Sequence, residues 1–328
     1  MTSETVFFCI GAHKSGTTWL HSVLAQYPDC ALPEIKEVHF FDNKHLTGHL
    51  QPVSIYIRRL ALLTRLASRF ENQMLGQLNP PCDAAGNDAN RQRIYADGSS
   101  RDPELTRKLD RIIVLARYLR IHDSNDYADY LEEVRSRKGT SVVGEFTPAY
   151  AMLPVAGFRD IATTFPTAKF IYVMRDPVDR FWSQLRFKKR RLASNEGDTD
   201  FDPNEYFQKA LQSAESLSRS DYPRTIETLE SVVPVDRILY LFFEDLFSRQ
   251  SLVPEMRRIE EFLGLQPMAA DWLLEQAEDK KNVSENIALS GDNRRAAEEA
   301  LLPIYEFVQR RFGTLPSGWH APSGPWLK

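Results

Sequence analysis

The chain of 328 residues is 42% hydrophobic and 26% charged, the balance of a globular protein long enough to bury a sizeable core. Its formal net charge of −4 argues against a general nucleic-acid binder. Cys9, Cys30 and Cys82 lie far apart with no CxxC spacing, which predicts reduced thiols in the cytoplasm rather than a disulfide framework or a zinc site.

The first predicted strand, Val6-Phe7-Phe8-Cys9-Ile10, starts so early that no room is left for a signal peptide. No apolar run anywhere approaches the ~20 residues that span a bilayer. The strand passes through Gly11-Ala12-His13-Lys14-Ser15-Gly16-Thr17-Thr18-Trp19 into a helix with Leu20, Val23 and Leu24 on one face. Strand, Gly-bounded loop and helix make a phosphate cradle. Backbone N–H groups face an anion, Lys14 is a point charge, and Ser15, Thr17 and Thr18 offer hydroxyls. The loop departs from the Walker A pattern GxxxxGK[ST]. Gly11 and Gly16 keep its spacing, but Lys14 stands two residues before Gly16 and Thr17 fills the usual lysine place. That disfavours the nearest rival reading, a magnesium-dependent nucleotide or small-molecule kinase.

Tyr27-Pro28-Asp29 breaks the helix, and a loop at Leu32-Pro33-Glu34 leads to Lys36-Glu37-Val38-His39-Phe40-Phe41-Asp42. In an extended conformation Glu37 and His39 project from one face. A carboxylate and an imidazole between apolar neighbours suit general-base work, the alternative being a solvated loop. Residues 52–75 read as a basic amphipathic helix, its Arg and apolar positions concentrated over 55–70. It would either pack on a core with a solvated rim or touch a membrane surface or an acidic carrier protein. A polar loop at 79–103 and helices at 103–118 and 124–137 follow, so residues 44–138 read as a mostly helical insertion lining a substrate site.

The sheet resumes at Ser141–Glu145, with Thr147 at its carboxyl end, where open α/β sheets bind ligands. A helix at 157–164 precedes the apolar run Lys169–Met174, a strand buried on both faces. Arg175 stands at its end, Pro177 in the first turn of the next helix and Ser183 two turns along, an arginine fork and a hydroxyl suited to an anion. Arg186–Arg191 reads as a solvated basic helix end. Beyond a loop at 195–203 come helices at 204–219 and 222–231, a strand at 237–243 and a helix at 254–263 closed by Gly264. A polar segment at 280–295 with a turn at 290–293 leads to a last helix at 295–312. Strands alternating with helices predict one α/β domain over 1–328, a central parallel sheet flanked by helices in the P-loop-nucleotide-kinase-like manner.

Lys14-Ser15-Gly16-Thr17-Thr18-Trp19-Leu20 resembles the 5′-phosphosulfate loop of sulfotransferases that use 3′-phosphoadenosine-5′-phosphosulfate (PAPS). Arg175 with Ser183 resembles that family's 3′-phosphate site, and Tyr240–Leu246 and Glu261–Leu265 resemble later segments. The likeness runs from Thr5 to about Phe312 and is weakest over 44–138. It implies PAPS as donor, 3′-phosphoadenosine-5′-phosphate (PAP) as product and no metal. Lys14 would stabilise charge on the departing phosphate, with Ser15 and Gly16 in the same loop. Thr17 and Thr18 would hold the 5′-phosphate, Trp19 would stack on adenine, and Arg175 and Ser183 would hold the 3′-phosphate.

Two branches of the family are mixed. Thr17-Thr18-Trp19 is similar to the cytosolic small-molecule enzymes, whose base is a histidine. Lys36–Asp42 and Thr147–Tyr150 are similar to the glycosaminoglycan-type enzymes, where the glutamate matching Glu37 is the base. His39 is then the alternative base or the partner that orients Glu37, and Thr147 joins them on the acceptor side. Phe146 stands where that branch usually has lysine, which speaks against a highly anionic glycan. The late Gly-rich basic loop over the 3′-phosphate has its nearest counterpart in Ser290–Arg294, which assigns Arg294 to that phosphate. The implied acceptor is a hydroxyl of a carbohydrate, a lipid headgroup or a small alcohol, and the oligomeric state is not legible.

Overall fold

The computed structural model describes residues 4–46, 61, 65, 118, 120–196, 201–278 and 287–319. Apart from residues 61, 65 and 118, the predicted basic helix at 52–75, the loop at 79–103 and the helix at 103–118 lie outside the described residues. The chain divides into two compact units, residues 1–47 with 131–328 and residues 48–130. The second falls within the 44–138 segment read from sequence as an insertion.

A five-stranded, all-parallel sheet organises the first unit, in the order β2-β3-β1-β4-β5. Its strands are β1 (Thr5–Gly11), β2 (Cys30–Ala31), β3 (Val142–Phe146), β4 (Lys169–Met174) and β5 (Ile238–Phe242). A parallel sheet is covered on both faces, so its strands are apolar runs rather than alternating ones. Phe7, Phe8, Cys9 and Ile10 of the central strand are all 0% exposed. Burying each phenylalanine contributes roughly 2–3 kcal/mol. Phe8 packs among Phe41, Phe165 and Phe170. Phe7 lies on Gly144, where a Cβ would sit 2.0 Å from its ring.

In the connections run α1 (Thr17–Leu24), α2 (Phe40–His45), α3 (Ser124–Lys138), α4 (Val155–Thr164) and α5 (Pro177–Glu196). They are followed by α6 (Pro203–Leu211), α7 (Ala214–Ser218), α8 (Tyr222–Glu230) and α9 (Phe243–Leu246). The last are α10 (Leu252–Leu263), α11 (Ala270–Glu278) and α12 (Gly291–Phe312). The chain leaves β1 towards β2 on one side and β4 towards β5 on the other. The loops after these two neighbouring strands therefore diverge, and open α/β sheets bind ligands in such a crevice.

Four elements differ from the sequence reading. β2 is two residues long, too short to leave a pattern, and α11 was not foreseen. The helix expected at 204–219 is broken because the Ser213 side chain accepts from the Ser216 N–H and starts α7 afresh. The turn expected at 290–293 is a helix start, with Ser290 accepting from the Asn293 N–H.

Candidate active site

At the end of β1 the chain must reverse into α1 within five residues. Gly16 takes a left-handed φ of 80°, and a Cβ there would meet the Phe243 ring at 2.9 Å. Among the described residues no side chain caps α1 at its N-terminus, which leaves its first N–H groups available to an anion. Lys14, itself at φ 67°, sits at the crown of the turn. Its ammonium lies 4.1 Å from the centroid of the Phe187 ring on α5. Burial, reinforced by Arg190, Arg175, Arg186 and Lys36, lowers its pKa to about 8. The Ser15 hydroxyl is buried without a partner among the described residues.

β4 lies beside β1, and this adjacency brings Arg175 to the same loop. Its Nη1 donates to the Lys14 carbonyl at 3.1 Å, its Cζ lies 4.3 Å from the Phe243 centroid, and its Nε is buried without a partner among the described residues. Ser183, on α5, is 7% exposed. Asp176 starts that helix, its carboxylate accepting from the Val178 and Asp179 N–H groups.

The segment 36–42 is not extended. His39 has a left-handed φ of 57° and α2 begins at Phe40, so the pairing of Glu37 with His39 comes from a turn rather than from strand alternation. His39 Nε2 lies 3.3 Å from Glu37 Oε2, and its Nδ1 lies 2.7 Å from Asp42 Oδ2. Asp42 went unmarked in the sequence; its signal was the i,i+3 spacing from His39. Burial opposes the charge on both members of the pair, but hydrogen bonds outweigh it. Those to Asp42 and Glu37 raise His39 to about 9, and the one from His39, with Lys36 nearby, lowers Glu37 to about 2. Lys36 ties this turn to the phosphate loop. Its Nζ lies 3.0 Å from Thr18 Oγ1 and 3.1 Å from Glu37 Oε1.

The end of β3 clamps this turn. Glu145 accepts from the Val38 N–H at 3.1 Å, Thr147 Oγ1 from the His39 N–H at 3.4 Å, and Tyr150 Oη from the Phe40 N–H at 3.2 Å. Burial lifts Glu145 to about 8, so at neutral pH it is largely a neutral acid.

Three residues expected to contact ligands have these partners within the protein. Thr147 is 0% exposed, its hydroxyl is bonded to Glu145, and it accepts from the His39 N–H, so it positions the turn. Trp19 is 3% exposed, with its Nε1–H on the Gln276 carbonyl at 2.8 Å and Phe247 against its ring. It is a core residue. Arg294 lies within α12 rather than a loop and is paired with Asp179 at 3.3 Å and Glu298 at 4.0 Å. The structure thus brings together Lys14, Ser15, Gly16, Thr18, Arg175, Glu37 and His39 at the carboxyl edge of β3, β1 and β4.

A model of the family described as "Sulfotransferase family" matches residues 7–269. The Dictyostelium discoideum protein "Membrane-associated sulfotransferase kil1" is 38% identical over 69 residues, 21% of this chain and 14% of that protein's length. A solved sulfotransferase from Alicyclobacillus acidocaldarius superposes with a TM-score of 0.54 at 18% identity, over 97% of this chain and 99% of the other. Mouse sulfotransferase SULT7A1, solved in complex with PAP, gives a TM-score of 0.43 at 12% identity, over 93% of this chain and 85% of the other. Among the described residues no helix is long and apolar enough to cross a membrane.

Proposed function

This chain belongs to the sulfotransferase family, and from that premise we propose that it moves the sulfuryl group of PAPS to an acceptor hydroxyl, with Glu37 as base. One observation carries the reading. Lys14 and Arg175 converge on the start of α1, where the Ser15 hydroxyl and Arg175 Nε are buried without partners among the described residues, next to an ionised Glu37. Buried polar atoms without partners are costly, and an anion in the loop would satisfy them.

Ser15, Gly16, Thr17 and Thr18 would hold the 5′-phosphate end of PAPS, and Arg175 and Ser183 the 3′-phosphate. Bound PAPS would supply the sulfuryl group and a phosphate as leaving group. The Lys14 ammonium and the first N–H groups of α1 stabilise negative charge at that phosphate, an electrostatic contribution that is commonly the largest in such transfers. The reading assigns no metal, because Lys14 does not stand at the Walker A lysine place, which Thr17 fills.

On the acceptor side His39 is protonated at neutral pH and has no lone pair to offer, whereas Glu37 is ionised. Glu37 is therefore the base, and His39, held by Asp42, orients it. A carboxylate at about 2 is too weak to pre-form an alkoxide, so Glu37 takes the hydroxyl proton while attack is under way. The acceptor class stays open among a carbohydrate, a lipid headgroup and a small alcohol. Contact with a membrane or carrier protein would fall to the basic stretch at 55–70.

Titration calorimetry with PAP in the presence of EDTA tests the reading. Micromolar binding is expected; tight binding of magnesium-ATP with none of PAP would sink it. A donor-labelled transfer assay on a cell extract, followed by mass identification of the product, then identifies the acceptor.

A further inference from the structure

The Lys36 side chain joins the two halves of the site. Its ammonium lies 3.0 Å from Thr18 Oγ1, in the first turn of the anion-binding helix, and 3.1 Å from Glu37 Oε1. An ammonium has three donors on a flexible stem, and these two contacts leave one for a further acceptor. Lys36 is also close enough to Lys14 to depress its proton affinity, so the two cations approach one region from different loops.

We propose that Lys36 senses the donor: its ammonium rests on Glu37 in the free protein and turns to the sulfuryl group when PAPS occupies the loop. The inference deepens the sulfotransferase reading and rests on it. The sulfuryl oxygens would enter beside Thr18, where Lys36 is already anchored, so the ammonium need only exchange one anionic oxygen for another. Lys36 is one of the groups that hold Glu37 acidic, and its departure strengthens the base once there is a group to transfer. A ligand shifts such an equilibrium only through differential affinity, and here the difference is the sulfuryl group that separates PAPS from PAP.

The test is calorimetry with PAP and with PAPS on the wild type, Lys36→Met and Lys36→Arg. In Lys36→Met we expect PAP to bind within about three-fold of wild type and PAPS to bind about ten-fold more weakly, because only the sulfuryl contact is lost. Lys36→Arg restores most of the PAPS affinity. Equal loss of PAP and PAPS in Lys36→Met would make Lys36 a brace for the phosphate loop, and no loss of either would make it a bystander; both overturn the inference. If Lys36→Met shows no cooperative melt, Lys36→Gln is read by the same ratio. A wild type that binds neither nucleotide removes the sulfotransferase reading itself, a result distinct from an unchanged ratio in a protein that binds both.

Discussion

The two sides of the sheet edge handle charge in opposite ways. On the donor side Lys14 and Arg175 are gathered with Arg186 and Arg190, and the Lys14 ammonium rests on an aromatic ring rather than on a carboxylate. On the acceptor side the charges form a chain, from Lys36 to Glu37 to His39 to Asp42, with each contact at 3.3 Å or less. Cations held close together by the fold gain most from an incoming anion, so the donor side is built to bind. A paired chain loses little mobility when substrate arrives, so the acceptor side is built to hold one carboxylate in one orientation.

The comparison breaks most visibly at Lys14. Lys14→Ala should lower turnover by about 10³-fold, the scale for loss of a main electrostatic donor, as read by transfer of labelled sulfate. Glu37→Gln should lower turnover by roughly 10²-fold or more while PAP affinity stays within about three-fold, as read by kinetics and calorimetry together. Normal turnover in that variant would remove Glu37 from the base role.

Proton linkage separates the sides more gently. Lys14 carries its charge below a pKa of about 8 in the free protein, so PAP affinity should fall as pH rises through that value, by at most about ten-fold per unit. Calorimetry from pH 6.5 to 9.5 would show it, and a flat profile would detach Lys14 from the phosphate site. Smallest is Asp42→Asn. Asp42 is a main cause of the raised His39 value of about 9, so the imidazole should titrate nearer its ordinary value by NMR. The Glu37–His39 pair would then weaken at lower pH, because a raised histidine contributes stability below its unfolded pKa and loses it as pH rises through the folded one.

Legibility followed the same division. The donor loop is local: glycines, hydroxyls and Lys14 fall within one turn, and the apolar run before it can only be a buried strand. Arg175 was legible because it ends a second such run. The acceptor side was half legible. Glu37 and His39 stand out by residue type, but a turn and not an extended run pairs them, and nothing local in the sequence gives Asp42 or Lys36 a part. The clamp on their turn comes from Glu145, Thr147 and Tyr150, more than a hundred residues away along the chain. Thr147 read as a substrate contact for the same reason: its exposure depends on what packs over it.

Sequence by itself determined the parallel α/β sheet, the anion-binding turn and the residues that carry charge there, because periodicity, glycine placement and loop chemistry act over a few residues. Tertiary structure alone decided that Trp19 belongs to the core, that Arg294 pairs with Asp179, and that Lys36 reaches both Thr18 and Glu37. Each depends on which surfaces meet across the sheet edge, and burial and ion pairing between distant segments leave no periodic trace in the chain.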